Sequence, residues 1–190
     1  MVEAERSSAL RVGVIGLGNV LMGDDAFGPW VVQALLAEYD FPDGVAVEDL
    51  GTPGLDLTPW VTDLDALVLV DTVRADAPPG TVRLYRRDDL LKHPPQTRLS
   101  PHDPGVKEAL LIAEFAGRGP REVLLVGAVP ETTAMGVGLG KALRAAVPIA
   151  AAEVLKELER LGRPATRRSA PRPPDIWWEE EPATTEAARS

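Results

Sequence analysis

The order of apolar and polar residues divides most of the chain into strands and helices. Five short runs predict strands, most of them nearly continuously apolar. They are LRVGVIGLG from residue 10, GVAVEDLG from 44, ALVLVDTV from 66, GTVRLYRRDD from 80 and REVLLVGAVP from 121. Apolar residues at helical spacing predict helices over 29–40, 103–117 and 138–161, and Pro148 is expected to kink or split the last one.

Buried strands that alternate with helices predict an α/β fold of three layers. Its middle layer is expected to be a twisted, mostly parallel five-stranded sheet with helices on both faces. The connection APPGTVRLY, residues 77–85, shows no helical pattern, so one strand is expected to be antiparallel.

The last part of the chain differs from the rest in composition. We predict that the domain spans residues 1–162 and that 163–190, rich in Pro, Arg and Glu, form a disordered tail. The adjacent Trp177 and Trp178 are unusual in such a tail. They are either a patch that folds back onto the domain or a docking motif for a partner.

Composition narrows the class of protein. A chain of 190 residues with 45% hydrophobic residues fits one globular domain, and no apolar stretch is long enough to predict a membrane span. The N-terminal residues lack the basic region and apolar core of a signal peptide, so we expect a cytoplasmic protein that does not act at a membrane. There are no cysteines, which excludes disulfides, thiolate metal ligands and cysteine nucleophiles, and a net charge of −9 argues against nucleic-acid binding.

The stretch GLGNVLMGDDAFG, residues 16–28, begins like a phosphate-binding loop and then departs from that pattern. Gly16 and Gly18 have the right spacing, but the third glycine of G-x-G-x-x-G is missing. The adjacent Asp24 and Asp25 would repel a phosphate. A nucleotide-binding protein with a ribose contact from the end of the second strand, at Glu48 or Asp49, is therefore disfavoured, and we predict no nucleotide cofactor.

Polar residues follow several strands at the edge where ligands bind in open α/β sheets. Asp25 lies in the loop after the first strand, Asp71 ends the third, and His102 directly precedes a predicted helix. Taken singly, Asp24 or Asp25 could cap a helix, Asp71 could orient a loop and His102 could be a surface residue; His93, in a polar loop, is expected to be only solvated. If Asp25, Asp71 and His102 converge, they suit a metal that arrives with the substrate or one that activates water.

Five segments together resemble the hydrogenase maturation proteases. GLGNVLMGDDAFG, GTPGLDL, VLVDTV, LSPHDPG and VGAVPE occur in the order and spacing of that family, over about residues 11–161. The resemblance implies a cytoplasmic endopeptidase that removes the C-terminal extension from the large-subunit precursor of a nickel–iron hydrogenase. It also implies that Asp25, Asp71 and His102 are the nickel ligands and the catalytic site, and that the precursor supplies the nickel.

The same stretches suggest how the substrate is held. Gly16 and Gly18 allow a tight turn, Asn19 can hydrogen-bond the loop, and GTPG at 51–54 follows the second strand at the same edge. We predict substrate contacts from Asn19, Gly51, Thr52 and Gly54, although GTPG could also be a plain turn. A chaperone that checks for nickel in the precursor without cleaving it remains the alternative function.

Overall fold

The computed structural model describes residues 10–53, 57–92 and 103–179. In chain order the elements are β1 (Val12–Leu17), a 3₁₀ helix (Gly23–Ala26), α1 (Phe27–Glu38), β2 (Tyr39–Asp40), β3 (Val45–Gly51), α2 (Thr58–Val61), β4 (Ala66–Thr72), β5 (Val82–Arg86), α3 (Arg87–Lys92), α4 (Asp103–Phe115), β6 (Glu122–Ala128), α5 (Lys141–Arg160), β7 (Thr166–Arg167) and a 3₁₀ helix (Trp177–Glu179).

The main sheet has five strands in the order β3-β1-β4-β6-β5. Four of them are parallel, with β1 between β3 and β4, and β5 runs antiparallel to β6. The carboxyl ends of β1, β3 and β4 therefore lie side by side at one edge. The predicted mostly parallel five-stranded sheet with one antiparallel strand is confirmed.

Alternating side chains of the central strands fill two separate cores. In β4, Ala66, Val68 and Val70 belong to the core that includes residues of α1 and α5. Leu67 and Leu69 point the other way and belong to the core that includes residues of α2, α3 and α4. Because strand side chains alternate between faces, a continuous apolar run can serve both cores. The predicted three-layer arrangement is thus confirmed.

Helix α5 is continuous over its 20 residues, although it contains Pro148. The prediction that this proline kinks or splits the helix is wrong as to the split, and the kink stays a prediction. Pro148 lies on the exposed face, where water can bond to the carbonyl group of Arg144, which the proline leaves without a helical donor. On the other face Val147 and Ala150 are buried in the core, and this packing favours an unbroken helix.

The segment 163–179 is packed against the domain, so the predicted disordered tail is wrong over these residues; residues 180–190 lie outside those described. β7 pairs antiparallel with β2. Trp178 is buried against Trp30, with ring centroids 6.5 Å apart in an edge-to-face arrangement. Of the two interpretations of the tryptophan pair, folding back onto the domain is confirmed.

No helix within the described part of the chain is long and apolar enough to span a membrane.

Candidate functional site

The loop after β1 brings Asp25 to the carboxyl edge of the sheet by an unusually close approach of main chains. At Gly18, φ is +145°, and a Cβ atom there would lie 1.8 Å from the carbonyl oxygen of Asp25. At Gly16, a Cβ atom would lie 2.6 Å from the carbonyl oxygen of Gly28 in α1. Only glycine fits these positions. Both glycines are therefore accounted for by the packing of the loop against itself and against α1.

Asp25 is buried, and hydrogen bonds orient its carboxylate. Its Oδ2 accepts a hydrogen bond of 2.9 Å from the main-chain N–H of Asn19. Its Oδ1 accepts one of 3.3 Å from the hydroxyl group of Thr72. Asn19 also closes the turn, because its Oδ1 accepts from the N–H of Leu21 at 3.0 Å. The predicted role of Asn19 within the loop is confirmed; its contact with substrate remains a prediction.

Asp71 reaches the same place from the neighbouring strand. It is the second-last residue of β4, it is buried, and its Oδ1 accepts a 2.7 Å hydrogen bond from the N–H of Thr72. Thr72 thus contacts both carboxylates, one through its main chain and one through its hydroxyl group. The structure brings Asp25 and Asp71 together around this residue.

Thr72 is a site residue that the sequence analysis missed. The available signal was a second polar residue directly after Asp71, in a strand whose other residues are apolar. Threonine is common in strands, so this signal is weak on its own.

Asp24 has a different task from that of its neighbour. Its Oδ2 accepts hydrogen bonds from the N–H groups of Glu131 and Thr132, at 2.8 and 3.2 Å, and its Oδ1 accepts one of 2.8 Å from Gly140. Gly140 is the N-cap of α5, where a negative charge is favourable. Asp24 therefore holds the segment between β6 and α5, and the interpretation that it caps the next helix is wrong.

The end of β3 is tied to the same loop. The carbonyl oxygen of Gly51 accepts a hydrogen bond of 2.8 Å from the N–H of Gly18, and Gly51 itself has φ of +59°. Asp49 accepts from the N–H of Gly51 at 3.0 Å. Burial raises the pKa of Asp49, and the hydrogen bond from Gly51 partly opposes that effect. Thr52 is exposed beside this turn, and substrate contacts by Gly51 and Thr52 remain predictions.

Three predicted positions, Gly54, His93 and His102, lie outside the described residues. Within the described ranges there is no group of three or more His, Asp or Glu side chains that could hold a metal. Two of the three predicted ligands, Asp25 and Asp71, are described. They supply oxygen donors at one edge of the sheet, a position suited to a cation.

The fold and these paired carboxylates define an α/β protein with an acidic site at the carboxyl ends of its central strands. The family model described as hydrogenase maturation protease matches residues 29–157. The hydrogenase 2 maturation protease of Escherichia coli K12 is 33% identical over 162 residues, which are 85% of this chain and 98% of that protein. The chain belongs to the hydrogenase maturation protease family and is a hydrolase.

Other relatives and solved structures agree. The hydrogenase expression/formation protein HupM of Azotobacter chroococcum is 37% identical over 85% of this chain and 78% of its own length. The structure of the hydrogenase maturating endopeptidase HybD from Escherichia coli superposes with a TM-score of 0.77 at 32% identity, covering 84% of this chain and 99% of that one. HybD from Thermococcus kodakarensis gives a TM-score of 0.63 at 25% identity, over 78% and 99% of the two chains.

Proposed function

We propose that this chain removes the C-terminal extension from the nickel-loaded large-subunit precursor of a nickel–iron hydrogenase and recognises the bound nickel. The observation that carries the proposal is the meeting of Asp25 and Asp71 around Thr72, in a chain of this family. The relative in Escherichia coli is named for the maturation of hydrogenase 2. The solved structure of HybD from Escherichia coli is named as that of a hydrogenase maturating endopeptidase. Both names support a hydrogenase precursor as the substrate.

Nickel belongs to the substrate in this proposal. Asp25 and Asp71 offer oxygen donors and His102 offers an imidazole, which leaves coordination positions for ligands of the precursor. The chain has no cysteine of its own. The precursor then supplies the thiolates that nickel favours, and the three side chains of the protease complete the coordination of the metal. A cation also offsets the unfavourable burial of two neighbouring carboxylates.

The main contribution of the site to hydrolysis is positioning. Nickel shared between the precursor and the protease fixes the scissile peptide bond at the edge of the sheet, and such fixing lowers the barrier without new covalent chemistry. Held there by Asp25, Asp71 and His102, the nickel of the precursor would supply Lewis-acid chemistry toward the scissile carbonyl group or the attacking water. Water adds its oxygen to the carbonyl carbon and the C–N bond breaks. One proton of the water passes to the leaving amine, and the other stays with the new carboxyl group.

The test is cleavage of nickel-loaded precursor by wild type, Asp25→Asn, Asp71→Asn and His102→Ala, with His93→Ala as the matched control. We expect cleavage by wild type and by the control, and no detectable cleavage by the other three while their folds remain intact. Nickel-free precursor should not be cleaved by any of them. Normal processing by the Asp71 or His102 variant would refute the site.

The same assay separates an endopeptidase from a chaperone that checks for nickel. A chaperone would bind nickel-loaded precursor more tightly than nickel-free precursor and leave its length unchanged. Gel analysis of the precursor after incubation with wild type therefore distinguishes the two functions.

A further inference from the structure

Three large apolar side chains are exposed in two loops next to the candidate site. They are Leu21, Met135 and Val137, with 56%, 89% and 54% of their surface exposed, and we call them the apolar rim. Exposed apolar side chains contribute nothing to the stability of the core, and a group of them in a folded protein often marks a binding surface.

Main-chain hydrogen bonds join the two loops at the rim. The N–H of Gly136 donates to the carbonyl oxygen of Leu21 at 2.9 Å, and the N–H of Gly23 donates to the carbonyl oxygen of Gly136 at 2.7 Å. Met22 and Gly136 form a parallel β-bridge. Since Gly136 is fixed on both sides, the residues flanking it, Met135 and Val137, are held at defined positions.

The rim is also fixed relative to the carboxylates. The N–H of Asp25 donates to the carbonyl oxygen of Met22 at 3.1 Å, and the N–H of Asp24 donates to that of Thr132 at 3.1 Å. The carboxylate of Asp24 holds the two ends of the second loop, at Thr132 and Gly140. A surface with an ordered backbone loses little conformational entropy when a ligand binds.

We propose that the apolar rim binds an apolar segment of the precursor polypeptide next to its cleavage site; this rests on the function proposed above. The rim and Asp25 belong to the same hydrogen-bonded pair of loops, so a polypeptide with its scissile bond at Asp25 can place neighbouring side chains on Leu21 or Met135. Burying these side chains removes apolar surface from water, while the loop hydrogen bonds beneath them stay intact. The occupant is therefore a peptide segment with apolar side chains.

The test uses Met135→Ser, Met135→Leu and Phe115→Ser with nickel-loaded precursor. Phe115 is a matched control, since it is 98% exposed and ends α4 at the opposite edge of the sheet. We expect Met135→Ser to raise KM by about tenfold with kcat nearly unchanged, because the lost contact is the same in ground and transition states. Met135→Leu should restore the KM of wild type, and Phe115→Ser should leave it unchanged.

Equal KM values for wild type and Met135→Ser would overturn the proposal. A second copy of the chain as occupant would also overturn it, and would appear in sedimentation experiments as a dimer of wild type that Met135→Ser dissociates, with KM unaffected. If wild type binds but does not cleave precursor, the proposed endopeptidase fails and the rim is still tested by affinity. In that case, Met135→Ser should bind nickel-loaded precursor about tenfold more weakly than wild type does, and equal affinities would refute the rim.

Discussion

Asp24 and Asp25 are neighbours in the sequence, but their carboxylates bond to different parts of the molecule. Asp25 bonds within its own loop and across to β4, where Thr72 and Asp71 lie. Asp24 bonds to residues 107 to 116 positions further along the chain, at Glu131 and Gly140. The first carboxylate is thus part of the candidate site, and the second supports it.

We expect these two roles to have opposite effects on stability. Three N–H groups donate to the two carboxylate oxygens of Asp24. In Asp24→Asn one of these oxygens becomes an NH₂ group, which cannot accept, so at least one N–H donor loses its acceptor. This should lower the free energy of unfolding by about 1–3 kcal/mol. Asp25→Asn removes one of two neighbouring negative charges, so the stability of the metal-free protein should stay the same or rise.

Urea denaturation of both variants measures the difference, with wild type as reference. A loss of stability in Asp25→Asn as large as that in Asp24→Asn would contradict the division of roles.

The candidate site could be predicted from the sequence only where a residue stands out from its immediate neighbours in the chain. Asp71 stands out as a carboxylate near the end of an apolar strand, and Asp25 as one of two adjacent carboxylates in the loop after another. Thr72 does not stand out, since its role depends on a contact between the end of β4 and the loop after β1, 47 residues apart in the sequence. The partners of Asp24 were unpredictable for the same reason.

Elements follow the same rule at a larger scale. The five strands of the main sheet and the long helices α1, α4 and α5 were predicted because each carries its own periodic pattern. The fourth strand was predicted too long, over 80–89, since β5 ends at Arg86 and residues 87–89 begin the short helix α3. The two-residue strands β2 and β7 were not predicted, since neither has a pattern of its own and each exists only by pairing with the other. The split predicted at Pro148 does not occur, because the effect of the proline on α5 depends on which face of the helix meets solvent.

Glu157 links α5 to β5 and also pairs with an arginine of its own helix. Its side chain is buried and accepts hydrogen bonds from the guanidinium groups of Arg86 in β5, at 2.6 and 2.9 Å, and of Arg160 in α5, at 3.0 and 2.7 Å. Burial by itself raises the pKa of Glu157, but the hydrogen bonds and charges of the two arginines outweigh burial and lower it from 4.5 to about 2.

The lowered pKa of Glu157 predicts a specific pH dependence of stability. The ion pair stabilises the fold fully above pH 4.5, and this contribution is lost as pH falls toward 2, where the carboxylate is protonated in the folded state as well. Both arginines are about half exposed, so we expect Glu157→Gln to cost about 1–3 kcal/mol at pH 7.

Stability curves from pH 7 to pH 2 should converge for wild type and Glu157→Gln. The exposed Glu159, on the same turn of α5, provides the control: Glu159→Gln should follow wild type at every pH. A constant difference between wild type and Glu157→Gln over the whole range would contradict the role of the ion pair.

At the scale of the whole molecule, residues 163–179 run from the end of α5 across α1 and α5, and we call this segment the strap. Glu179 accepts two hydrogen bonds from Arg144, at 2.8 and 2.9 Å, and the guanidinium group of Arg144 also lies 4.8 Å from the ring centroid of Trp30. Trp178 packs edge-on against Trp30. Composition pointed to disorder, because a few well-placed aromatic side chains in a polar segment hardly change its average hydrophobicity.

Truncation after Gly162 should therefore destabilise the protein, contrary to what a disordered tail would do. Trp178→Ala alone removes a buried side chain and should cost about 2–4 kcal/mol, or roughly 2–4 °C in Tm for each kcal/mol. Trp177→Ala is the control, since Trp177 is 62% exposed and should lose less than about 1 kcal/mol.

Trp178→Phe distinguishes packing from hydrogen bonding. The buried Nε1 of Trp178 has no hydrogen-bond partner among the described residues, so phenylalanine keeps much of the aromatic contact with Trp30 and loses no hydrogen bond. We expect its Tm to lie between those of wild type and Trp178→Ala. Thermal denaturation of the five proteins, wild type, the truncation and the three tryptophan variants, measures these differences. An unchanged Tm after truncation at Gly162 would mean that the strap contributes nothing to stability. The packing of Trp178 on Trp30 would then be no stronger than a contact between two exposed rings.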